Sequence, residues 1–561
     1  MAYSTEQTVS ASLFNRTMHS LEKRFARVKE QVISLPLVKF RRGGDNYEDL
    51  DGQSRDKSVS QVEISPSPTD GNNGAEGQFT VEQCVDQLGF GMFQVKLSFL
   101  TGLAWMADAM EMMILSILSP ALHCDWGIPS WQQAFTTTIV FCGMMLSSSI
   151  WGSICDKYGR RAALLLSSLF TFYFGILSAV SPTFVWLLVL RGLVGFGVGG
   201  APQAVTLYAE FLPTAIRAKA VVMIEIFWAL GAVFETLLAL LVMPHLGWRY
   251  LLGLSAIPLL IFAAFCVWLP ESARFDIARG HPEKALATLE RIAKENGKPM
   301  PQGRLIYNIP KVTEENVKRG QLKDLFSIDL RKTTIILWVI WLACAFSYYG
   351  IVLMTTELFE TGDKCHGGSN KKGGTGDSGK VELACLLDCK MLSTKDYTDL
   401  LWTSVAEFPG LFITAAVIEK LGRKKTMAGE FVVFSFFVFL LNLCTNRPLL
   451  TFFIFVARAF ISGAFQAAYV YTPEVYPTTM RALGLGTCSG MARIGAIVTP
   501  FVAQVMLTSS PSLAVSTYGA IALIAAIAAM LLPIETQGKE MKEKNASETS
   551  KLLGSGCATS A

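Results

Sequence analysis

Gly152-Ser153-Ile154-Cys155-Asp156-Lys157-Tyr158-Gly159-Arg160-Arg161 is a short charged segment set between two apolar runs of membrane-spanning length. Far downstream the same order returns as Glu419-Lys420-Leu421-Gly422-Arg423-Lys424-Lys425: an acid, a Lys, a Gly and two bases, again between apolar runs. A second set keeps nearly the same offset, with Glu210, Pro213, Arg217 and Ala218 returning as Glu474, Pro477, Arg481 and Ala482. Arg191, inside an apolar run, comes back as Arg458. The repetition predicts two membrane halves built on one plan.

Composition agrees. Of 561 residues, 51% are hydrophobic and 17% charged, where a soluble protein carries roughly a quarter charged. The apolar residues fall into blocks long enough to cross a bilayer as helix. The expected fold is an all-α polytopic membrane protein with twelve transmembrane helices in two pseudo-symmetric six-helix bundles. Residues 1–94 read as a largely disordered cytosolic tail, 95–269 as the first bundle and 270–332 as a cytosolic linker with short helices. Residues 333–533 read as the second bundle, with a lumenal loop at 360–396, and 534–561 as a cytosolic tail. Met1–Ser20 contains no apolar core of a signal peptide, so targeting is expected to use an internal span.

The bases set the orientation. Lys157, Arg160, Arg161, Arg217, Lys219, Lys420, Arg423–Lys425 and Arg481 crowd the links on one face, and the opposite short links hold few; the longer 360–396 loop breaks the pattern with six Lys, but long loops cross largely regardless of charge. Basic short loops stay in the cytosol, which places both termini there. Cys365, Cys385 and Cys389 in the 360–396 loop, and Cys124 near the same face, are candidates for disulfides on an oxidising side, with open connectivity. The only Asn-X-Ser/Thr sequons, at Asn15 and Asn545, fall on the tails. Glu548-X3-Leu552-Leu553 fits the acidic dileucine pattern read by clathrin adaptors of vesicle coats.

The charged loops have a physical logic beyond anchoring. A carboxylate at a helix end can pair with bases across helices and hold one conformation shut, and a Gly permits the tight reversal. Gly152, Asp156, Gly159, Arg160, Glu419, Gly422 and Arg423 are therefore read as gating loops. The pattern Gly152-X3-Asp156-Lys157-X-Gly159-Arg160-Arg161 resembles the loop signature of the major facilitator superfamily. Arg191-Gly192 and Pro270-Glu271-Ser272-Ala273-Arg274 resemble its sugar and organic-ion porter branches. Trp105-Met106-Ala107-Asp108-Ala109-Met110-Glu111 and Tyr471-Thr472-Pro473-Glu474-Val475-Tyr476-Pro477 resemble the branch of synaptic vesicle glycoprotein 2. The resemblance covers about residues 85–540. It implies a major facilitator fold, a transporter rather than an enzyme, and a place in secretory or synaptic vesicle membranes. It also implies that Arg191, Glu210, Arg217, Glu271, Arg274, Arg458, Glu474 and Arg481 form a structural charge network. The 360–396 loop is much shorter than the glycosylated lumenal domain of synaptic vesicle glycoprotein 2, so properties tied to that domain do not carry over.

Ionisable residues inside spans are costly in hydrocarbon and point to function. Asp108 and Glu111 sit three apart on one face of the first span, and a close carboxylate pair suits proton or cation handling. Bonding of both to neighbouring helices is the plainer alternative. In the fifth span Glu225 and Trp228 share a face. Trp228, Tyr348 and Tyr349 resemble cavity aromatics of synaptic vesicle glycoprotein 2, whereas Phe465 and Tyr469 stand where that relative has a Trp and an Asp. Arg493 lies too deep to snorkel, and by resemblance to the organic-ion transporters a base there goes with anionic substrates. An internal ion pair with Glu407 or Glu474 is its alternative.

Two nucleotide-like strings are rejected. Gly195-X-Gly197-X-X-Gly200 lies in a spanning helix with no βαβ unit, and Gly374–Lys380 lacks the following hydroxyl residue. No cofactor, metal or nucleic acid is expected, and the partners are a small organic ion and membrane lipid. The expected function is secondary active transport of a small organic anion or zwitterion by alternating access, with proton coupling through Asp108 or Glu111. A non-transporting vesicle protein acting as a ligand-binding or trafficking module is the alternative.

Overall fold

The computed structural model describes residues 60–62, 78–307, 322–328, 330–361, 392–443, 445–477 and 480–537. Within them, eleven helices are long and apolar enough to cross a membrane. The first half holds Met92–Trp126, Ser130–Tyr158, Arg160–Ala179, Phe184–Glu210, Lys219–Val242 and Trp248–Phe265. The second holds Arg331–Phe359, Thr394–Leu421, Arg447–Val475, Leu483–Ser509 and Pro511–Leu531. A further helix, Arg423–Leu440, completes six and six. Arg423, Lys424, Lys425 and Glu430 make it too charged to stand out by hydropathy, yet Phe431, Phe434 and Val438 are fully buried against its neighbours. Ordinals below follow this chain order, with Arg423–Leu440 as the ninth span.

The two halves pack alike. The first span lies against the fifth and the second against the fourth, as the seventh lies against the eleventh and the eighth against the tenth. Without a hydrophobic driving force in lipid, such contacts depend on close backbone approach. A Cβ on Gly231 of the fifth span would sit 2.3 Å from the Met106 carbonyl oxygen, and one on Gly495 of the eleventh 2.4 Å from that of Leu342. The halves meet through the second span on the eleventh and the fifth on the eighth.

Order reaches further into the tail than the sequence suggests. Strands β1 (Ser60–Val62), β2 (Gln78–Phe79) and β3 (Arg304–Tyr307) form a sheet in which β3 is central, antiparallel to β1 and parallel to β2. Within residues 1–94, Ser60–Val62 and the stretch from Gln78 onward thus join the folded part, and the fold departs from all-α by this small sheet. Helix Val81–Leu88 follows, started by a Thr80/Gln83 capping box. Its Val81, Cys84, Val85 and Leu88 are spaced to face one side, and all are buried. They share one core with Leu289, Ile292 and Ala293 of the linker helix Pro282–Asn296, which Gly297 ends in a left-handed conformation. The first span starts at Met92. Cys365, Cys385, Cys389, Glu548, Leu552 and Leu553 lie outside the described residues, while Cys124 is disulfide-bonded.

Candidate substrate cavity and charge network

A cavity lies between the halves. Asp108, Glu225 and Trp228 line it from the first half, and Tyr348, Tyr349, Phe465, Tyr469 and Arg493 from the second. Eight residues singled out from sequence thus converge on one space. The Trp105 indole donates to Glu225 Oε2 at 3.0 Å. The Trp228 indole donates to the Tyr348 hydroxyl at 2.7 Å, which donates to Glu407 Oε1 at 2.9 Å. Rings continue round the wall, Trp105 to Trp228 at 5.3 Å, Tyr348 to Tyr349 at 5.3 Å and Phe465 to Tyr469 at 5.3 Å between centroids. Among the described residues Arg493 makes no ion pair, and its Nη1 meets Met144 Sδ at 3.0 Å. Glu407 and Glu474 are engaged elsewhere, so the internal pairing considered for Arg493 does not form.

Glu111 does not line this cavity. Its carboxylate is held by Arg191 of the fourth span, and both are buried. Asp108 and Glu111 share a helix face, but its breadth splits them between the cavity and the bundle interior. In the second half Arg458 pairs with Glu407 at 2.9 Å, with side chains 0% and 1% exposed. Each half therefore neutralises its buried Arg with an acid from a neighbouring span, as buried charge requires.

The charged loops are built twice. Gly159 (φ 100°) and Gly422 (φ 85°) turn the chain into the third and ninth spans, in a backbone region that suits glycine. Glu271 Oε1 and Oε2 accept from the backbone N–H groups of Arg160 and Arg161 at 2.8 and 3.2 Å. Glu535 does the same for Arg423 and Lys424 at 2.9 and 3.2 Å. A carboxylate there satisfies unpaired helix-start donors and favours the helix dipole. Arg160 reaches Asp156 at 2.8 Å and Glu210 at 3.4 Å, and Arg423 reaches Glu419 at 3.5 Å and Glu474 at 3.1 Å. All of these pairs stay within one half. Burial pushes Glu271 above the ordinary 4.5, outweighing the N–H groups of Ser272, Arg160 and Arg161 that favour its charge.

The halves themselves touch on the other side. Ser119 accepts from the Gln504 amide at 2.8 Å, Thr138 donates to the Ile497 carbonyl at 3.1 Å, and Thr236 and Ser404 share a hydrogen bond at 3.2 Å. These residues lie toward the ends of their spans remote from Gly159 and Gly422. On the loop face Arg217 and Arg274 share Glu82 at 3.3 and 3.1 Å. Arg481, their expected partner in the network, leaves Nε and Nη2 buried without hydrogen bonds. Burial, then the like charge of Arg217, holds Arg481 below its ordinary value. Cross-half hydrogen bonds thus gather on the side away from the charged loops, while on the loop side the like charges of Arg217 and Arg481 act on each other.

The chain is 56% identical over 533 residues to the synaptic vesicle 2-related protein of Xenopus laevis, covering 92% of this chain and 94% of that one. A profile described as sugar (and other) transporter matches residues 87–363, and one described as Major Facilitator Superfamily matches 400–558. The chain belongs to the major facilitator superfamily. It is a multi-pass membrane transporter of that superfamily, not an enzyme. It is also 36% identical over 508 residues to the organic cation/carnitine transporter 7 of Arabidopsis thaliana, covering 84% of this chain and 97% of that one. The partially occluded inward-open xylose transporter of E. coli superposes with TM-score 0.62 at 15% identity, covering 80% of this chain and 99% of that one, a likeness of fold.

Trp105 and Gln466 also line the cavity of this superfamily member. Neither was singled out as a site residue, although both were within reach of the helical period. Trp105 precedes Asp108 by three and Gln466 precedes Tyr469 by three, which puts each pair on one face. Glu535 is the other omission. It repeats Glu271 at the offset of the loops, but it looked like the start of a polar tail.

Proposed function

We propose that the protein is a secondary active transporter of a small organic ion, a zwitterion or anion, working by alternating access between its two bundles. One observation carries this reading: a single cavity between the halves holds an unpaired base, Arg493, with the acids Asp108 and Glu225 and a wall of aromatic rings. Arg493 offers a substrate carboxylate a forked donor. The acids and the faces of Trp105, Trp228 and Tyr349 suit an ammonium or quaternary group. The name of the Arabidopsis relative includes carnitine, which carries both charges. Asp108 takes up and releases the coupling proton, while Glu111 and Arg191 keep the first bundle neutral. The Asp156 and Glu419 loops act as latches on the cytosolic face, the vesicle membrane of the Xenopus relative's name is the site of action, and Glu548, Leu552 and Leu553 recruit the coat adaptor.

Purified protein in liposomes with an internal pH-sensitive dye tests this. Addition of zwitterions, organic anions and organic cations in turn should move protons with the first two, and Arg493→Gln should abolish that signal. Failure of every class with a folded protein and intact binding would leave the ligand-binding module in its place.

A further inference from the structure

The Gly195-X-Gly197-X-X-Gly200 string lies beside a second, unassigned cavity. This small space is inside the first bundle, and Asp108 lines it as well as the central cavity. Its other polar lining is Ser167, Ser168 and Thr171 of the third span. Each of these hydroxyls donates its proton to the backbone: Ser167 and Ser168 to the Leu164 carbonyl at 3.1 and 2.7 Å, Thr171 to that of Ser167 at 2.9 Å. A hydroxyl whose proton is spent has only lone pairs left to offer. Two glycines make room for them. A Cβ on Gly197 would meet Thr171 Oγ1 at 2.2 Å, and one on Gly200 would meet Ser167 Oγ at 2.9 Å.

Asp108 completes the wall. It is 4% exposed, and its Oδ1 is buried with no hydrogen-bond partner. A buried carboxylate oxygen left unbonded loses its hydration without return. No Lys or Arg lines the second cavity, so nothing in the wall supplies the missing positive charge. The charged groups acting on Asp108 are Arg493, Glu111 and Glu225, and none of them lines it either. A lining of oxygen acceptors with one carboxylate is the donor set of a small hard cation carrying a single charge.

We propose that this cavity binds a monovalent cation of the sodium class, held by Asp108 with Ser167, Ser168 and Thr171. The site rests on the reading of Asp108 as the ion-handling residue and adds a chamber behind it. An ion there neutralises Asp108 from within the first bundle and leaves the central cavity's balance to Arg493 and Glu225. Ion occupancy is thereby coupled to the charge of the substrate that fits.

The test uses the full chain in detergent, with thermal unfolding followed in sodium, potassium or choline chloride at equal ionic strength. Sodium should raise the midpoint by a few degrees, as a ligand of the folded state does, and choline should not. Thr171→Val and Ser168→Ala remove an oxygen while keeping shape, and together they should raise the sodium concentration for the half-effect at least tenfold; Thr171→Ser should restore it. No sodium effect on the unsubstituted chain overturns the site, as does an undiminished effect in the double variant, which would move the ion into the central cavity. Quenching of Trp105 and Trp228 by organic zwitterions is measured in the same samples. That signal reports the central cavity, so loss of the sodium effect with quenching intact sinks only this proposal. Quenching absent with the sodium effect present sinks the substrate reading.

Discussion

The two halves agree at their loops and differ in their interiors. On the face of the charged loops the match runs residue by residue: Asp156, Gly159, Arg160, Glu210 and Glu271 against Glu419, Gly422, Arg423, Glu474 and Glu535. Inside, Arg191 takes its acid from the first span, whereas Arg458 takes Glu407 from the eighth. Glu407 also accepts from Tyr348, so the second half's buried pair is wired into the cavity wall and the first half's is not. Ser167 and Glu430 occupy matching places in the third and ninth spans, one lining a polar chamber, the other bonded to Thr414 at 2.6 Å. The two halves share their loop geometry and differ in their buried chemistry.

Breaking the buried pairs gives the largest expected effect. Glu111→Ala and Glu407→Ala each strand a guanidinium in the interior, at a cost of about 3–5 kcal/mol. Both should lower the thermal midpoint severely. Only Glu407→Gln, which keeps the shape, should also alter Trp228 fluorescence, because it changes the acceptor for Tyr348. Equal fluorescence changes in Glu111→Gln and Glu407→Gln would erase the asymmetry.

The loop glycines come next. Gly159→Ala and Gly422→Ala force a Cβ into a left-handed backbone, costing about 1–2 kcal/mol each. Gly159→Ala should cost more, since its Cβ would lie 2.4 Å from Glu271 Oε2 while that of Gly422→Ala lies 2.9 Å from Glu535. Unfolding midpoints of the two variants check the order.

A pH series sharpens the same pairing. Glu271 is raised above 4.5 in the folded chain, so the folded state holds this proton more tightly than the unfolded one. Its contribution to stability is full below 4.5 and falls as pH rises through the folded value. Glu271→Gln should flatten that slope, and a slope unchanged by the substitution would remove Glu271 from the account.

The smallest effect belongs to the most conspicuous residues of the sequence. Asp156 and Glu419 are 56% and 54% exposed and pair at i,i+4 spacing. Such pairs are worth about 0.3–0.5 kcal/mol. Asp156→Asn with Glu419→Gln should barely move stability, and uptake in liposomes then decides the latch: unchanged rates and an unchanged conformational balance discard it.

Much of this fold was legible because membranes impose it. Apolar run lengths gave the spans, and a repeated order of charge gave the halves. The cavity was half legible, since costly residues such as Asp108, Glu225 and Arg493 stand out in hydrocarbon whatever they face. Which of two acids three apart turns inward was not legible, because helical spacing fixes a face and not the neighbour it meets. The ordered segment from Gln78 was missed for the opposite reason. Its few apolar residues are buried by the linker, far along the chain, and no local signal announces that partner.

The bond from Trp228 to Tyr348 spans both bundles within the cavity wall, and Tyr348 in turn donates to Glu407, which also accepts from Arg458. A guest that settles between those two rings must take over one end of that relay. Arrival of cargo and loosening of the seam between lobes would then be a single event, felt at once by a guanidinium that the guest never touches.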